Sequence, residues 1–144
     1  MNALKALLLI HTSSWLRRNP HYKENVMKTN ELIRAALNWA VAKCEGLLLP
    51  DGGNLQIFNK QLKAHPAKLG TLYTPSTDWA QGGLIIEREF IKVDPRKGQW
   101  EATIWNEAAI QNPAYGPTPL IAAMRCYVAS KLGDTVEVPP ELLE

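Results

Sequence analysis

The fold is decided by the stretch GPTPLIAAMRCYVASKLGD, residues 116–134, which has the pattern of a helix with both ends marked. Thr118 can cap the N–H groups of a first turn, and Pro119 suits the first helical position, where no N–H is needed. Gly133 supplies the positive φ angle with which many helices end, just after Lys131 in the last turn. The sequence therefore predicts a well-delimited helix near the carboxyl end of the chain.

Arg125 is the exception in a predicted helix that is otherwise apolar around most of its circumference. One arc of the helix carries large apolar side chains and the other carries almost only small ones, so we expect burial on most sides. Arg125 falls at the edge of the large arc, which leaves two interpretations open. Either its stem lies along apolar surface and its head pairs with a carboxylate, or it faces a pocket and holds an anionic ligand.

Length and composition are those of a single globular domain. The chain has 144 residues, of which 46% are hydrophobic and 21% are charged. This length can bury a core without disulfides or metals. Cys44 and Cys126 lie in predicted helices among apolar neighbours, so we interpret both as buried, reduced thiols of a cytoplasmic protein. No apolar run approaches the length that spans a membrane, and no membrane partner is expected.

Residues 1–26 differ from the rest of the chain, and we do not expect this leader to belong to the fold. It carries four basic residues and one acidic residue, whereas the remaining 118 residues carry 12 and 13. Residues 27–144, the predicted single domain, therefore lack the electrostatic footprint of a nucleic-acid-binding protein. Because Lys23-Glu24 can be encoded by a purine-rich ribosome-binding sequence, we expect translation to begin at Met27. The alternative is a short amphipathic arm or anchor, and the intact mass of the natively expressed protein distinguishes the two.

The first helix of the body is predicted over residues 29–44, where apolar side chains recur with a helical period. Its first residue, a threonine, can serve as the cap, and Gly46 ends it. Residues 47–49 and 55–58 are short enough to be strands around a glycine-rich turn. Residues 59–76 are predicted to form mostly a loop.

A second helix is predicted over residues 79–88, with Ser76 or Thr77 as its cap and Asp78 at its positive end. The pair Gly82-Gly83 weakens this helix by about 1 kcal/mol per glycine relative to alanine. The pair therefore needs a reason. Either the helix packs closely on a neighbouring element, or its backbone lies close to a ligand.

A hairpin and a final helix complete the predicted order of elements. Residues 90–93 and 99–105 alternate as strands around a turn at 94–98. A loop at 106–117 leads into the final helix, and residues 135–144 are predicted as an extended surface tail. Adjacent strands with short connections favour an α+β fold, with a small antiparallel sheet and packed helices.

Four stretches together resemble a known family, namely residues 27–46, 75–89, 100–102 and 116–134. They are similar to the NinX-like family of small uncharacterised proteins from lambdoid phages and enterobacterial prophages, which in turn resembles phage domains described as an α/β/α sandwich. The resemblance covers the body, is loose over residues 47–72 and is absent from the leader. It implies a sandwich-like single domain and a phage or prophage accessory protein in the bacterial cytoplasm. It implies no activity and no catalytic residues.

The sequence does not indicate an enzyme, a metal site or a cofactor. His11 and His21 lie in the leader, which leaves His65 as the only histidine of the body. A histidine-dependent nucleophile or a histidine-rich metal site is therefore not expected. Four carboxylates have the chemistry of a catalytic pair but are more simply explained as caps and solvated groups; they are Asp78, Glu87, Glu89 and Glu101.

We therefore expect a binding protein that acts on a host or phage component. Nucleic acid is disfavoured, because the best basic patch, Lys92, Arg96 and Lys97 near Trp100, lies among acidic neighbours. A protein partner predicts an exposed apolar patch, whereas a small anionic ligand predicts an enclosed pocket with Arg125 inside. The candidate binding residues are Asp78, Trp79, Gly82, Gly83, Trp100 and Arg125.

Overall fold

The computed structural model describes residues 25–47, 56–57, 67–68, 73–106, 109–110 and 113–143. Its helices are α1 (Arg34–Cys44), α2 (Trp79–Arg88) and α3 (Pro119–Leu132). Its strands are β1 (Val26–Lys28), β2 (Gln56–Ile57), β3 (Ala67–Lys68), β4 (Ile91–Arg96), β5 (Gln99–Asn106), β6 (Ala109–Ile110), β7 (Ala114–Gly116) and β8 (Thr135–Glu137). Thr29–Glu31 and Pro140–Leu142 form short 3-10 turns.

The main sheet is centred on β5. β4 pairs with one side of β5, with Ile91 opposite Ile104, and β7 pairs with the other side, with Tyr115 opposite Glu101. The short β6 pairs with the end of β5. All strand pairs in the described residues are antiparallel, so the predicted α+β class with a small antiparallel sheet is confirmed.

A two-stranded ribbon joins the two ends of the described chain. Val26 of β1 lies opposite Glu137 of β8, and the Val138 N–H donates to the Asn25 carbonyl oxygen at 2.9 Å. β1 thus begins at Val26, the last residue of the predicted leader, and residues 1–24 lie outside the described residues. The predicted surface tail is wrong in part, because Val136 and Val138 are buried in the core.

α3 is the central element of the core. It packs on the main sheet and also contacts α1 and α2. Every residue from Ala122 to Val128 is buried, which confirms the predicted burial on most sides. Met124 and Val128 are completely buried. Removing side chains of this size from water contributes about 1.5–3 kcal/mol each, so α3 supplies a large share of the stability.

Both ends of α3 are formed by the predicted residues. The Thr118 hydroxyl oxygen accepts a hydrogen bond from the Ile121 N–H at 3.2 Å, and Pro119 is the first helical residue. Gly133 has a φ angle of 89° and follows the last helical residue. These caps form because each requires only residues of the same short stretch.

The predicted start of the first helix is wrong, because α1 begins at Arg34 rather than Thr29. Thr29 is buried, and its N–H donates to the Asp134 carbonyl oxygen at 2.8 Å. Its hydroxyl donates to the Gly133 carbonyl oxygen at 2.6 Å. These tertiary hydrogen bonds hold Thr29 in a 3-10 turn. The predicted helix end is confirmed, since Gly46 has a φ angle of 68°.

The predicted cap of α2 is also wrong. Asp78 is the cap, and its Oδ1 atom accepts a hydrogen bond from the Ala80 N–H at 2.9 Å. Ser76 is buried, and both its N–H and its hydroxyl donate to Asn38 Oδ1, at 3.1 and 2.7 Å. The turn before α2 is therefore hydrogen-bonded to α1 through Ser76 and Asn38.

The strands of the second half extend further than predicted. Residues 94–96 belong to β4, and the turn is only Lys97 and Gly98, both with positive φ angles as a tight hairpin requires. The predicted loop at 106–117 contains β6 and β7. In the predicted loop at 59–76, Ala67–Lys68 pairs with Gln56–Ile57. Of the strands predicted at 47–49 and 55–58, residues 48, 49, 55 and 58 lie outside the described residues.

Candidate functional site

A pocket of about 320 Å³ opens beside α3, where β1, the first 3-10 turn, β7 and the α3–β8 turn meet. We call it the Arg125 pocket. Its polar lining residues are Lys28, Thr29, Asn30, Arg125, Asp134 and Thr135. Pro113, Ala114 and Ala129 form a wall without charges. This volume lies at the lower end of the range that is usual for small-molecule sites, about 300–1,000 Å³.

Long-range backbone contacts hold one side of the pocket in place. Lys28 lies opposite Thr135 in the β1–β8 ribbon. The hydrogen bonds of Thr29 to Gly133 and Asp134 fix the first 3-10 turn against the end of α3. Lys28 and Asp134 therefore stand on backbone segments that are hydrogen-bonded to each other, which is the kind of support that fixes a site before a ligand arrives.

Arg125 is the buried cation of the pocket, with only 8% of its surface exposed. Its Nε–H donates to the Leu32 carbonyl oxygen at 2.8 Å, and its Nη1 donates to the Tyr115 carbonyl oxygen at 2.7 Å. Neither partner is a carboxylate. The interpretation in which Arg125 pairs with a carboxylate is therefore wrong for the described residues, and the alternative that it faces a pocket agrees with its position.

The guanidinium of Arg125 keeps part of its donor capacity. Two of its five N–H groups are used by the carbonyls of Leu32 and Tyr115, and the other three have no partner among the described residues. Burial lowers the pKa of Arg125 from its usual value, and the nearby Glu31 carboxylate partly offsets this effect. An arginine remains charged under such conditions, so the pocket contains a buried positive charge.

Two side chains that line the pocket, those of Asn30 and Arg125, also cover the edge of the main sheet at β7. The Tyr115 N–H donates to Asn30 Oδ1 at 2.9 Å, and the Tyr115 carbonyl accepts from Arg125. Side chains thus satisfy both peptide groups that an edge strand would otherwise leave unpaired. Arg125 therefore connects α3 both to the segment before α1 and to β7. It also lines the pocket.

The other candidate residues from the sequence do not line this pocket. Asp78 caps α2, and Trp100 is partly buried against the core. The site of a Cβ atom on Gly82 is occupied by the Pro75 carbonyl oxygen and by Leu120 Cδ2, so close packing explains this glycine. The remaining two lie on α2, where Gly83 packs beside Trp79, whose side chain is 57% exposed.

Three residues of the pocket had no signal in the sequence, namely Lys28, Asp134 and Thr135. They come together because β1 pairs with β8, and no local pattern marks that pairing. The basic patch near Trp100 forms no such site. Lys92 pairs with Asp94 at 2.8 Å, and Arg96 pairs with Glu101 at 3.4 Å, as expected for a solvated hairpin.

A second polar cluster lies where α1, α2 and α3 approach each other. Arg88 Nη2 is 2.7 Å from Glu45 Oε1 and 3.4 Å from the Tyr127 hydroxyl, and its Nε donates to Glu89. Burial, and then the Glu45 carboxylate, raises the pKa of Tyr127 to about 12. This phenol therefore stays protonated near neutral pH, and the cluster acts as a connection between helices.

The two thiols are poor nucleophiles. Burial raises the pKa of Cys44 to about 11, with a further contribution from Glu45, and burial also raises the pKa of Cys126 to about 11. The thiolate is the reactive form, so little of it is present at neutral pH. Within the described part of the chain, no group of three or more His, Cys, Asp or Glu residues is placed to hold a metal ion.

No helix in the described ranges has the length and apolar character needed to cross a membrane. The sequence model of the family described as "Bacteriophage P22, NinX" matches residues 28–131. Among solved structures, the chain is similar to a phage protein from Bacillus cereus ATCC 14579, with a TM-score of 0.50 and 16% sequence identity. That similarity covers 78% of this chain and 94% of the other, and at this identity it shows the fold alone. No curated protein matches the chain.

Proposed function

The chain belongs to the bacteriophage P22 NinX family, and we propose that it is a non-catalytic phage accessory protein that binds a small anionic ligand in the bacterial cytoplasm. The binding site in this proposal is the Arg125 pocket. The observation that carries it is a buried guanidinium whose partners in the described chain are two backbone carbonyls. Carbonyls satisfy N–H groups but do not neutralise the charge, and an anion in the pocket would do so.

The other charges of the pocket support an anion over a cation. Lys28 and Arg125 contribute two positive charges, and Asp134 contributes one negative charge. Lys28 is exposed and forms no ion pair with a described residue. Arginine and lysine together are a common donor set for phosphate and carboxylate groups, the first as a fork and the second as a point charge.

Isothermal titration calorimetry with sulfate and inorganic phosphate tests this proposal. The Lys28→Gln variant removes one charge from an exposed position of the pocket and should weaken phosphate binding about fivefold, since one exposed charge pair is worth about 1 kcal/mol. The matched control is Lys92→Gln, which removes the same charge from the distant hairpin and should leave the affinity unchanged. Equal weakening by both variants, or no binding to the unmodified protein, would contradict the proposal.

A second candidate function is binding of a protein partner through α2. Trp79 and Leu84 are 57% and 54% exposed on this helix, and large exposed apolar side chains are common at protein interfaces. Native mass spectrometry of protein purified gently from a phage-susceptible host separates the two candidates. A reproducible small-molecule adduct that is lost in Lys28→Gln supports the pocket. A bound protein that is lost in Trp79→Ser supports α2.

A further inference from the structure

We propose that the ligand of the Arg125 pocket is the phosphate monoester of a small polyhydroxy compound. Its phosphate group is held by Arg125 and Lys28, and one of its hydroxyl groups donates a hydrogen bond to Asp134. This inference rests on the proposed function, because it names the chemical class that the same pocket takes.

The two cations of the pocket favour a dianion. A phosphate monoester carries a charge of about −1.5 to −2 at neutral pH, whereas a carboxylate carries one negative charge. Three N–H groups of Arg125 have no partner among the described residues and can donate to such a ligand, and Lys28 adds an ammonium group from β1. A phosphate has enough acceptor oxygens to accept hydrogen bonds from both side chains at once.

Asp134 requires that the ligand contain more than a phosphate. Asp134 lines the same pocket, and its carboxylate forms no ion pair with a described residue. It repels a bare phosphate, so a ligand that fits well must present a hydrogen-bond donor to it. The donor has to lie within a few bonds of the phosphate, because the pocket holds only about 320 Å³.

A hydroxyl group suits this position better than an ammonium group. Arg125 and Lys28 line the same small pocket, and their charges repel a second cation. The hydroxyl of Thr29 already donates to Gly133, so its oxygen can accept a hydrogen bond from the ligand. Thr135 adds a hydroxyl group that can donate or accept. Neighbouring hydroxyl groups on the ligand match these partners.

The apolar wall excludes a nucleotide as the best fit. Pro113, Ala114 and Ala129 form this wall, and no aromatic side chain of the described residues lines the pocket. Nucleobases are usually bound by stacking on aromatic rings. A compact polyol phosphate needs no stacking surface.

The test compares glycerol 3-phosphate with n-propyl phosphate, which has the same phosphate and carbon chain but no hydroxyl groups. Isothermal titration calorimetry on the full chain should find glycerol 3-phosphate bound about tenfold more tightly, since a hydrogen bond to a charged group has that effect. Asp134→Asn should reduce this preference, because an amide oxygen accepts a weaker hydrogen bond than a carboxylate, and should strengthen the binding of n-propyl phosphate. This variant is nearly isosteric, and the backbone carbonyl of Asp134 keeps its hydrogen bond to Thr29.

The outcomes distinguish failure of the polyol inference from failure of the proposed anion binding. If both phosphate esters bind equally and Lys28→Gln weakens both, the pocket binds anions but the polyol inference is wrong. The same holds if the preference for glycerol 3-phosphate is unchanged in Asp134→Asn. If neither ester nor inorganic phosphate binds at millimolar concentration, both proposals fail.

Discussion

Replacing Gly82 and Gly83 by alanine, one at a time, should change the stability of the protein in opposite directions. A Cβ atom on Gly82 would overlap the Pro75 carbonyl oxygen and lie 2.7 Å from Leu120 Cδ2. Because the carbonyl is backbone and cannot rotate away, α2 must move relative to the turn that contains Pro75, and overpacking of this kind costs about 1–3 kcal/mol. The gain in helix propensity, about 1 kcal/mol, offsets only part of this cost.

Gly83 is the matched control, because it lies in the same helix with space beside it. The nearest atom to its added Cβ would be Trp79 Cε3 at 3.7 Å, an ordinary van der Waals contact. Gly83→Ala should therefore keep the propensity gain and stabilise the protein by about 0.5–1 kcal/mol. The two variants should differ by about 2 kcal/mol in the free energy of unfolding.

Urea unfolding followed by tryptophan fluorescence measures this difference, provided that both variants keep the same denaturant slope. Thermal unfolding should show the same order, with about 3 °C per kcal/mol for a chain of this size. Equal destabilisation by both substitutions would refute the packing explanation of Gly82. A Gly82→Ala variant stabilised as much as Gly83→Ala would refute it as well, because the backbone overlap would then cost nothing.

Three further predictions concern the cap of α2, the buried arginine and the pH dependence of stability. Asp78→Ala should lower the free energy of unfolding by about 1 kcal/mol in urea, whereas Thr77→Ala should have almost no effect; the reverse order would restore the cap expected from the sequence. Arg125→Met should cost about 2–5 kcal/mol in urea unfolding, because it leaves two inward carbonyls without donors; a loss under 1 kcal/mol would contradict its structural role. The pKa of Cys126 is raised from 9.0 to about 11 by burial, so as the pH rises the unfolded chain loses the thiol proton at a lower pH than the folded chain does. The stability should therefore fall as the pH rises from about 9 to about 11, and more steeply than in Cys126→Ala; equal slopes would show that the thiol is not shielded.

The parts of the fold that depend on neighbouring residues could be predicted from the sequence. The limits of α3 follow from Thr118, Pro119 and Gly133, which all lie within the helix or next to it. The hairpin of β4 and β5 follows from alternation and from the turn at Lys97 and Gly98. The family resemblance rests on the same local blocks, and the matching family model confirms it.

The parts that depend on distant contacts could not be predicted. Thr29 looks like a helix cap, but its hydrogen-bonding groups are used by Gly133 and Asp134 at the far end of the chain. Arg125 was recognised as unusual because it is charged on a buried helix. Its carbonyl partners gave no signal, because every residue carries a carbonyl group. The start of translation at Met27 stays a prediction.

The ribbon of β1 and β8 has a consequence for the synthesis of the protein. Thr29 and Gly133 are 104 positions apart, so a ribosome makes one side of the Arg125 pocket long before the other. A nascent chain that ends before Asp134 contains α1, α2 and the main sheet but lacks two of the pocket's polar residues. Closing such a long loop costs entropy that only the completed ribbon and core repay. Ligand binding as proposed above would thus require that Asp134 and Thr135 have already been synthesised, and fragments released earlier would not compete for the ligand.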